Sequence, residues 1–244
     1  MTELLNKITQ GDCLEVMQRI PDGSVDMILC DLPYGTTRNK WDSIIPLDEL
    51  WAQYGRIIKD NGAIVLTAQT PFDKVLGASN IRLLKYEWIW QKTQGTGHLN
   101  AKKMPMKNHE NILVFYKKLP TYNPQMTKGK PYTQKSGRAS SNYNPQISVV
   151  TENKGERYPL TVQEFKSDKG LHPTQKPVAL FEYLIRTYTN EGEIVLDNCI
   201  GSGTTAVAAI NTNRQFIGIE KEPEYVEIGN RRITEALAKK EAGA

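Results

Sequence analysis

Four carboxylates stand just behind short apolar runs in this chain, and that pattern constrains the fold more than any other feature. Leu5 to Ile8 runs into Gly11-Asp12, Val25 to Cys30 ends in Asp31, Ile194 to Leu196 ends in Asp197, and Gln215 to Ile219 ends in Glu220. Short aliphatic and β-branched runs bounded by turn residues read as buried strands. Stretches with helical apolar spacing alternate with them: Leu14 to Ile20, Leu47 to Lys59, Val178 to Thr189, Thr204 to Asn211, and a last helix from about Pro223. Asn61-Gly62 stops the second of these ahead of a further strand, Ala63 to Ala68. Strands alternating with helices imply a mostly parallel sheet covered on both faces, with ligands bound beyond the carboxyl ends of its strands. The four carboxylates are therefore expected to converge on one crevice.

Two more strands are predicted at Tyr86 to Gln91 and Asn111 to Tyr116, joined by a polar loop, Thr93 to Asn108. From Lys117 to Leu171 the periodicity disappears, and Pro120, Pro124, Pro131, Pro145 and Pro159 punctuate a polar stretch. Such a length without periodicity reads as an irregular insert of functional use. The chain thus divides into core residues 1–116, an insert at 117–171, and a second core part at 172–244. Thr174 is predicted to cap the helix that begins near Val178.

At 244 residues, 39% hydrophobic and 24% charged, the chain has the make-up of an ordinary soluble globular protein. Met1 to Gln10 lacks a secretory leader, and no window approaches the roughly 18 apolar residues of a membrane span, so a cytoplasmic protein without membrane contact is expected. Cys13, Cys30 and Cys199 fall in no Cys-x-x-Cys arrangement, and His98, His109 and His172 are scattered. Reduced thiols and no metal site are expected. Net charge is +4, but unevenly spread: from Asn111 to Val150 there is no Asp or Glu, while Lys117, Lys118, Lys128, Lys130, Lys135 and Arg138 all fall there. Lys102, Lys103 and Lys107 extend this region upstream. A positive segment on a balanced protein is the footprint of a phosphate backbone, although a solvated loop accounts for it as well.

Two strings carry the chemistry. In the late one, Asp197 to Thr205, Gly201 and Gly203 permit close backbone approach ahead of a helix whose first N–H groups are unpaired. Glu220, one strand-helix-strand unit further on, is placed to accept ribose hydroxyls. Acidic neighbours suit a cation-bearing nucleoside, S-adenosylmethionine, better than a dinucleotide or ATP. Asp12 is positioned to accept an adenine amine, and Lys176 to pair with a carboxylate of the cofactor. The early string, Asp31-Leu32-Pro33-Tyr34, addresses a different problem: an amine attached to a planar base is a poor nucleophile because its lone pair is delocalised. The Asp31 carboxylate and Leu32 carbonyl can accept its two hydrogens, Pro33 fixes the turn, and Tyr34 offers a face for an extruded base, worth roughly 1–3 kcal/mol. Stabilising the charge that develops on nitrogen is sufficient, with no prior base.

In this order the strings resemble the beta-class amino-methyltransferases of DNA. The likeness runs through Gly11-Asp12-Cys13, Asp31 to Tyr34, His172 to Pro177, Asp197 to Thr205 and Ile217 to Glu220. It implies a seven-stranded, circularly permuted, Rossmann-like methyltransferase sheet with 117–171 as target-recognition insert. It further implies catalysis by Asp31, Leu32, Pro33 and Tyr34. Cofactor contacts are implied at Asp12, Cys13, Asp31, Thr174, Lys176, Asp197, Gly201, Gly203, Thr204, Thr205 and Glu220. Double-stranded DNA is the implied partner, in a restriction-modification or phage setting, and self-association into a homodimer stays open. A leading Asp in the target motif is more typical of adenine-N6 than of cytosine-N4 members, so adenine is favoured. The alternatives are cytosine-N4 transfer, an RNA or protein amide as acceptor, and a catalytically inactive DNA-binding protein on the same fold. Leu32 departs from the family's usual Pro, and Asn198-Cys199 from its usual Pro-Phe, which removes an aromatic contact to the cofactor.

Overall fold

The computed structural model describes residues 1–35, 43–135, 150–168 and 175–243. Twelve strands and six helices follow one another as β1 (Lys7–Gln10), α1 (Cys13–Met17), β2 (Val25–Asp31), α2 (Leu47–Ile57), β3 (Ile58–Ala68), α3 (Phe72–Ser79), β4 (Leu84–Thr96), β5 (Lys107–Phe115), β6 (Thr127–Lys128), β7 (Tyr132–Lys135), β8 (Val150–Asn153), β9 (Glu156–Arg157), β10 (Val162–Phe165), α4 (Val178–Tyr188), β11 (Ile194–Asp197), α5 (Thr204–Asn211), β12 (Gln215–Glu220) and α6 (Pro223–Ala242). The sheet order is β1-β12-β11-β2-β3-β5-β4-β10. Every neighbouring pair is parallel except those of β5, which runs antiparallel to β3 and β4.

The apolar runs become strands because both faces of the sheet are covered. One side packs Ile28, Cys30, Ile64 and Leu66 against Leu50, Tyr54 and Leu76 of α2 and α3. The other packs Met27, Leu29, Val65 and Val195 against Phe181, Leu184 and Tyr188 of α4 and the alanines of α5. In α4 the buried positions Leu180, Phe181, Leu184, Ile185 and Tyr188 repeat at helical spacing. Each such side chain contributes about 1.5–3 kcal/mol by leaving water. Placing a charge at Leu184 would detach this helix from the sheet.

Two expectations change, and a third falls on an undescribed residue. The sheet has eight strands, because Val162–Phe165 adds to the β4 edge in parallel, with Trp90 Nε1 donating to the Phe165 carbonyl at 2.8 Å. The cap expected of Thr174 falls on a residue outside the described ones. Pro177 takes the cap position, and the Asp168 carboxylate accepts from the Val178 N–H at 3.1 Å. The predicted loop Thr93 to Asn108 is strand at both ends, since β4 continues to Thr96 opposite Lys107 and forms a hairpin with β5.

Residues Pro124–Leu160 make a second compact unit. Within it β6 pairs with β9 and β7 with β8, both antiparallel. Its organising side chain is Arg157, which lies 4.7 Å from the centroid of the Tyr132 ring and donates to the Lys130 carbonyl and to Asn153 Oδ1.

Candidate active site

The parallel pairing of β11 with β2, Val195 opposite Met27 and Leu196 opposite Ile28, brings Asp197 and Asp31 out at the same end of the sheet. On the other side of β11, β12 ends at Glu220, opposite Gln10 of β1, and the Gly11 N–H donates to the Glu220 carbonyl at 2.9 Å. The four strand-end carboxylates therefore face one cleft of about 240 Å³, which Asp12, Cys13, Asp31, Pro33, Lys176, Asp197, Gly201, Thr204 and Glu220 line. Ile44 to Pro46, Phe181 and Tyr225 complete its walls. Both strings open onto the same space.

The half built by the late string is held by neutral donors. Asp197 Oδ1 accepts from the Cys199 N–H at 3.0 Å and Oδ2 from the Thr205 hydroxyl. Burial pushes the Asp197 carboxyl up to about 7, against these hydrogen bonds, which pull it down. Glu220 accepts from the N–H groups of Gly201 and Glu222, each at 2.8 Å, and burial raises its carboxyl above the ordinary range. Asp12 Oδ1 accepts from the Leu14 N–H at 2.9 Å, capping α1. Gly203 has φ +85°, and a Cβ there would lie 3.0 Å from Gly229 Cα in α6. Glycine is required by both handedness and space.

The half built by the early string is an ion cluster. Asp31 Oδ1 accepts from the Tyr34 hydroxyl at 2.7 Å and from the Thr67 hydroxyl, and Oδ2 accepts from Lys176 Nζ at 2.6 Å. Lys176 Nζ also lies 3.3 Å from Glu110 Oε2, and Lys92 Nζ 2.5 Å from Glu110 Oε1. Burial pulls the Lys176 ammonium down, but Asp31 and Glu110 outweigh it and hold it above its ordinary value. Burial likewise raises Glu110, and Lys176 and Lys92 more than reverse this. Two carboxylates and two ammoniums balance in charge, which makes their burial tolerable. The Tyr34 ring stacks on Phe72 at 5.4 Å, while the Leu32 side chain is buried in the core.

The residues expected at the site divide accordingly. Asp12, Cys13, Asp31, Pro33, Lys176, Asp197, Gly201, Thr204 and Glu220 come together. Gly203 and Thr205 do not line the cleft: the first packs against α6, and the second is fully buried with its hydroxyl on Asp197. Lys176, expected to face a carboxylate of the cofactor, is engaged by Asp31 and Glu110 instead. Thr174 and Arg138 lie outside the described residues.

Of the basic residues, Lys102, Lys103 and Lys107 are exposed along the β4–β5 hairpin, which projects past the strand end that carries Asp31. Lys117 and Lys118 fall at the opposite end of the sheet, where Asp60 lies 3.9 and 2.7 Å from their ammoniums, because β5 runs antiparallel and carries the chain away from the cleft. Lys128, Lys130 and Lys135 belong to the smaller unit. Sequence reasoning missed Glu110, Lys92 and Thr67. Glu110 stands in the polar string Lys107 to Asn111, ahead of the apolar run that starts at Ile112, and gave no local signal. Tyr54 was also missed: its buried hydroxyl donates to Asn198 Oδ1 at 2.5 Å, beside the position where the family usually has Pro-Phe.

Among the described residues no helix is long and apolar enough to cross a membrane, and no group of three His, Cys, Asp or Glu side chains is arranged to hold a metal ion. Residues 25–231 match a family model described as DNA methylase. The chain is similar to the DNA adenine methyltransferase YhdJ of Escherichia coli strain K12, with 31% identity over 248 residues, 93% of this chain and 82% of that enzyme. Its structure resembles the crystal structure of the M1.HpyAVI-SAM complex, with a TM-score of 0.64 and 28% identity over 93% of this chain and 98% of that one. It also resembles the cytosine-N4-specific PvuII DNA methyltransferase, with a TM-score of 0.68 over 95% of this chain and 91% of that one; at 16% identity this is a likeness of fold.

Proposed function

Because the chain belongs to the DNA methylase family, we propose that it transfers a methyl group from S-adenosylmethionine to N6 of an adenine flipped out of double-stranded DNA, in the cytoplasm of a bacterial or phage-infected cell. The observation that carries this reading is the single cleft shared by the strand ends at Asp31, Asp197 and Glu220. A wall bearing Asp12, Asp31, Asp197 and Glu220 suits a cofactor with a positive centre and repels a polyphosphate. S-adenosylmethionine supplies an electrophilic methyl carbon bonded to sulfonium sulfur.

The chain's own residues do the rest. Glu220 accepts ribose hydroxyls, Asp12 accepts the cofactor's adenine amine, and the turn at Gly201 brings backbone N–H groups close. At the other end the target amine takes the place on Asp31 that Lys176 Nζ holds, with the Leu32 carbonyl as second acceptor. These two acceptors draw the nitrogen toward tetrahedral geometry and stabilise the positive charge it gains as the bond to carbon forms. The excess proton leaves afterward through Asp31 to water. The hairpin with Lys102, Lys103 and Lys107 contacts backbone phosphates, and the unit at 124–160, with Lys128, Lys130 and Lys135, reads the target site.

Plasmid DNA from cells expressing the chain, digested to nucleosides and analysed by mass spectrometry, should contain N6-methyladenine. N4-methylcytosine in its place would move the target to the cytosine amine. An absence of both would leave a DNA-binding protein without transferase activity.

A further inference from the structure

Lys176 stands where the reaction needs room. Its Nζ lies 2.6 Å from Asp31 Oδ2 and over the Tyr34 ring, 5.5 Å from the centroid. The ammonium thus occupies both the acceptor and the aromatic face that a target base would use. It has to withdraw without losing a charge partner, because a side chain only 6% exposed has little water to turn to.

The register of the sheet puts a second acceptor beside it. Asp31 pairs with Thr67 of β3, and Thr67 pairs with Ile112 of β5. Glu110, two positions from Ile112 along the same strand, projects from the same face, which α4 covers, and Lys176 stands just ahead of that helix. Glu110 Oε2 lies 3.3 Å from Lys176 Nζ and, among the described residues, accepts no hydrogen bond. Lys92 Nζ lies 2.5 Å from the other oxygen, Oε1, and the Glu110 side chain is buried. A buried carboxylate oxygen without a hydrogen bond costs free energy that an arriving ammonium recovers.

We propose that Glu110 is a positioning residue: it takes the Lys176 ammonium from Asp31 as the target base enters, and so frees Asp31 to accept the base's amine. This rests on the reading of Asp31 as the acceptor for that amine. The ammonium keeps its proton throughout, and the cluster of Asp31, Glu110, Lys176 and Lys92 stays balanced in charge. Only the partner of Asp31 changes. With Lys176 withdrawn, the Asp31 carboxylate faces the nitrogen that becomes positive as its bond to the methyl carbon forms. With Lys176 left in place, a like charge would oppose that step.

The test measures single-turnover methyl transfer from radiolabelled S-adenosylmethionine to plasmid DNA. Glu110→Gln keeps the shape of the side chain but holds an ammonium poorly. Its transfer rate should fall by about tenfold to a hundredfold, with cofactor affinity by calorimetry within about threefold of the parent chain. Adding Lys176→Gln should raise the rate of the Glu110→Gln chain several-fold, since no ammonium is then left on Asp31. A Glu110→Gln chain as fast as the parent overturns the proposal. So does a double variant no faster than Glu110→Gln, the result expected of two residues that merely brace the fold. A crystal of the unaltered chain with S-adenosylhomocysteine and a duplex carrying the methylated sequence decides the matter without any variant. In it Lys176 Nζ should lie within hydrogen-bond distance of Glu110 Oε2 and not of Asp31 Oδ2, and an ammonium still on Asp31 beside a seated base refutes the exchange. If the unaltered chain transfers no methyl group to plasmid DNA, the assignment of the cleft itself fails, and this inference with it.

Discussion

Asp31 and Asp197 occupy equivalent positions, each the last residue of a parallel strand, on two strands that are direct neighbours. Their surroundings differ. Asp31 is a quarter exposed and holds an ammonium and two hydroxyls, with Glu110 and Lys92 behind the ammonium. Asp197 is buried, with one backbone N–H and one hydroxyl and no cation. A carboxylate that exchanges one cationic partner for another suits an amine that becomes positive during reaction. A carboxyl titrating near neutrality, fixed by neutral donors, suits the shaping of a turn. The strand end supplies the position, and the neighbours decide the chemistry.

The contrast can be broken most directly at Asp31. Asp31→Ala should lower single-turnover methyl transfer by about 10²–10³-fold while S-adenosylmethionine still binds. Transfer at an undiminished rate in a radiolabelled assay would place the reacting amine elsewhere.

Asp197 sharpens the comparison through pH. Its folded-state value, about 7, lies above the ordinary carboxylate value near 4, so the stability it contributes is whole below about pH 4 and is lost as pH rises through about 7. Denaturant titrations from acid to neutral pH should show stability falling by on the order of 4 kcal/mol from this group, and Asp197→Asn should flatten that part of the curve. Identical pH curves for the two proteins would mean that Asp197 is ionised throughout, like a paired surface carboxylate.

The smallest effect concerns the turn that both halves depend on. Gly203→Ala places a Cβ at φ +85° against Gly229, which should cost about 1–3 kcal/mol and lower Tm. Its transfer rate per folded molecule should fall far less than that of Asp31→Ala. An unchanged Tm would show that α6 yields at Gly229.

Much of this was legible in the chain because buried parallel strands announce themselves as apolar runs, and their ends as the next polar residue. Asp12, Asp31, Asp197 and Glu220 were found in that way, and with them the cleft. Elements with mixed patterns were not. In β10, Val162–Phe165 alternates exposed and half-buried residues on an edge, and α3 follows Pro71 and contains a Gly77 that weakens its helical signature. Glu110 reads as one polar residue in a strand, since its meaning comes from Lys92 and Lys176, which only tertiary pairing brings to it. Tyr54 reads as helix core, and its hydrogen bond to Asn198 joins residues with no local relation. That Lys117 and Lys118 lie at the far end of the sheet was not legible, because composition does not reveal that β5 reverses direction.

The sheet order also dictates when the molecule can begin to work. Lys7 pairs with Ile217, and Met27 with Val195, so the first two strands wait for partners near the other end of the chain. Contacts of such sequence separation form late and slowly, since closing the intervening loop precedes any gain from pairing. A nascent chain emerging from the ribosome can assemble β3, β4 and β5 early, yet it carries Asp31 on a half-unpaired strand until β11 has been made. The cleft between Asp31 and Asp197 is therefore among the last features of the molecule to form.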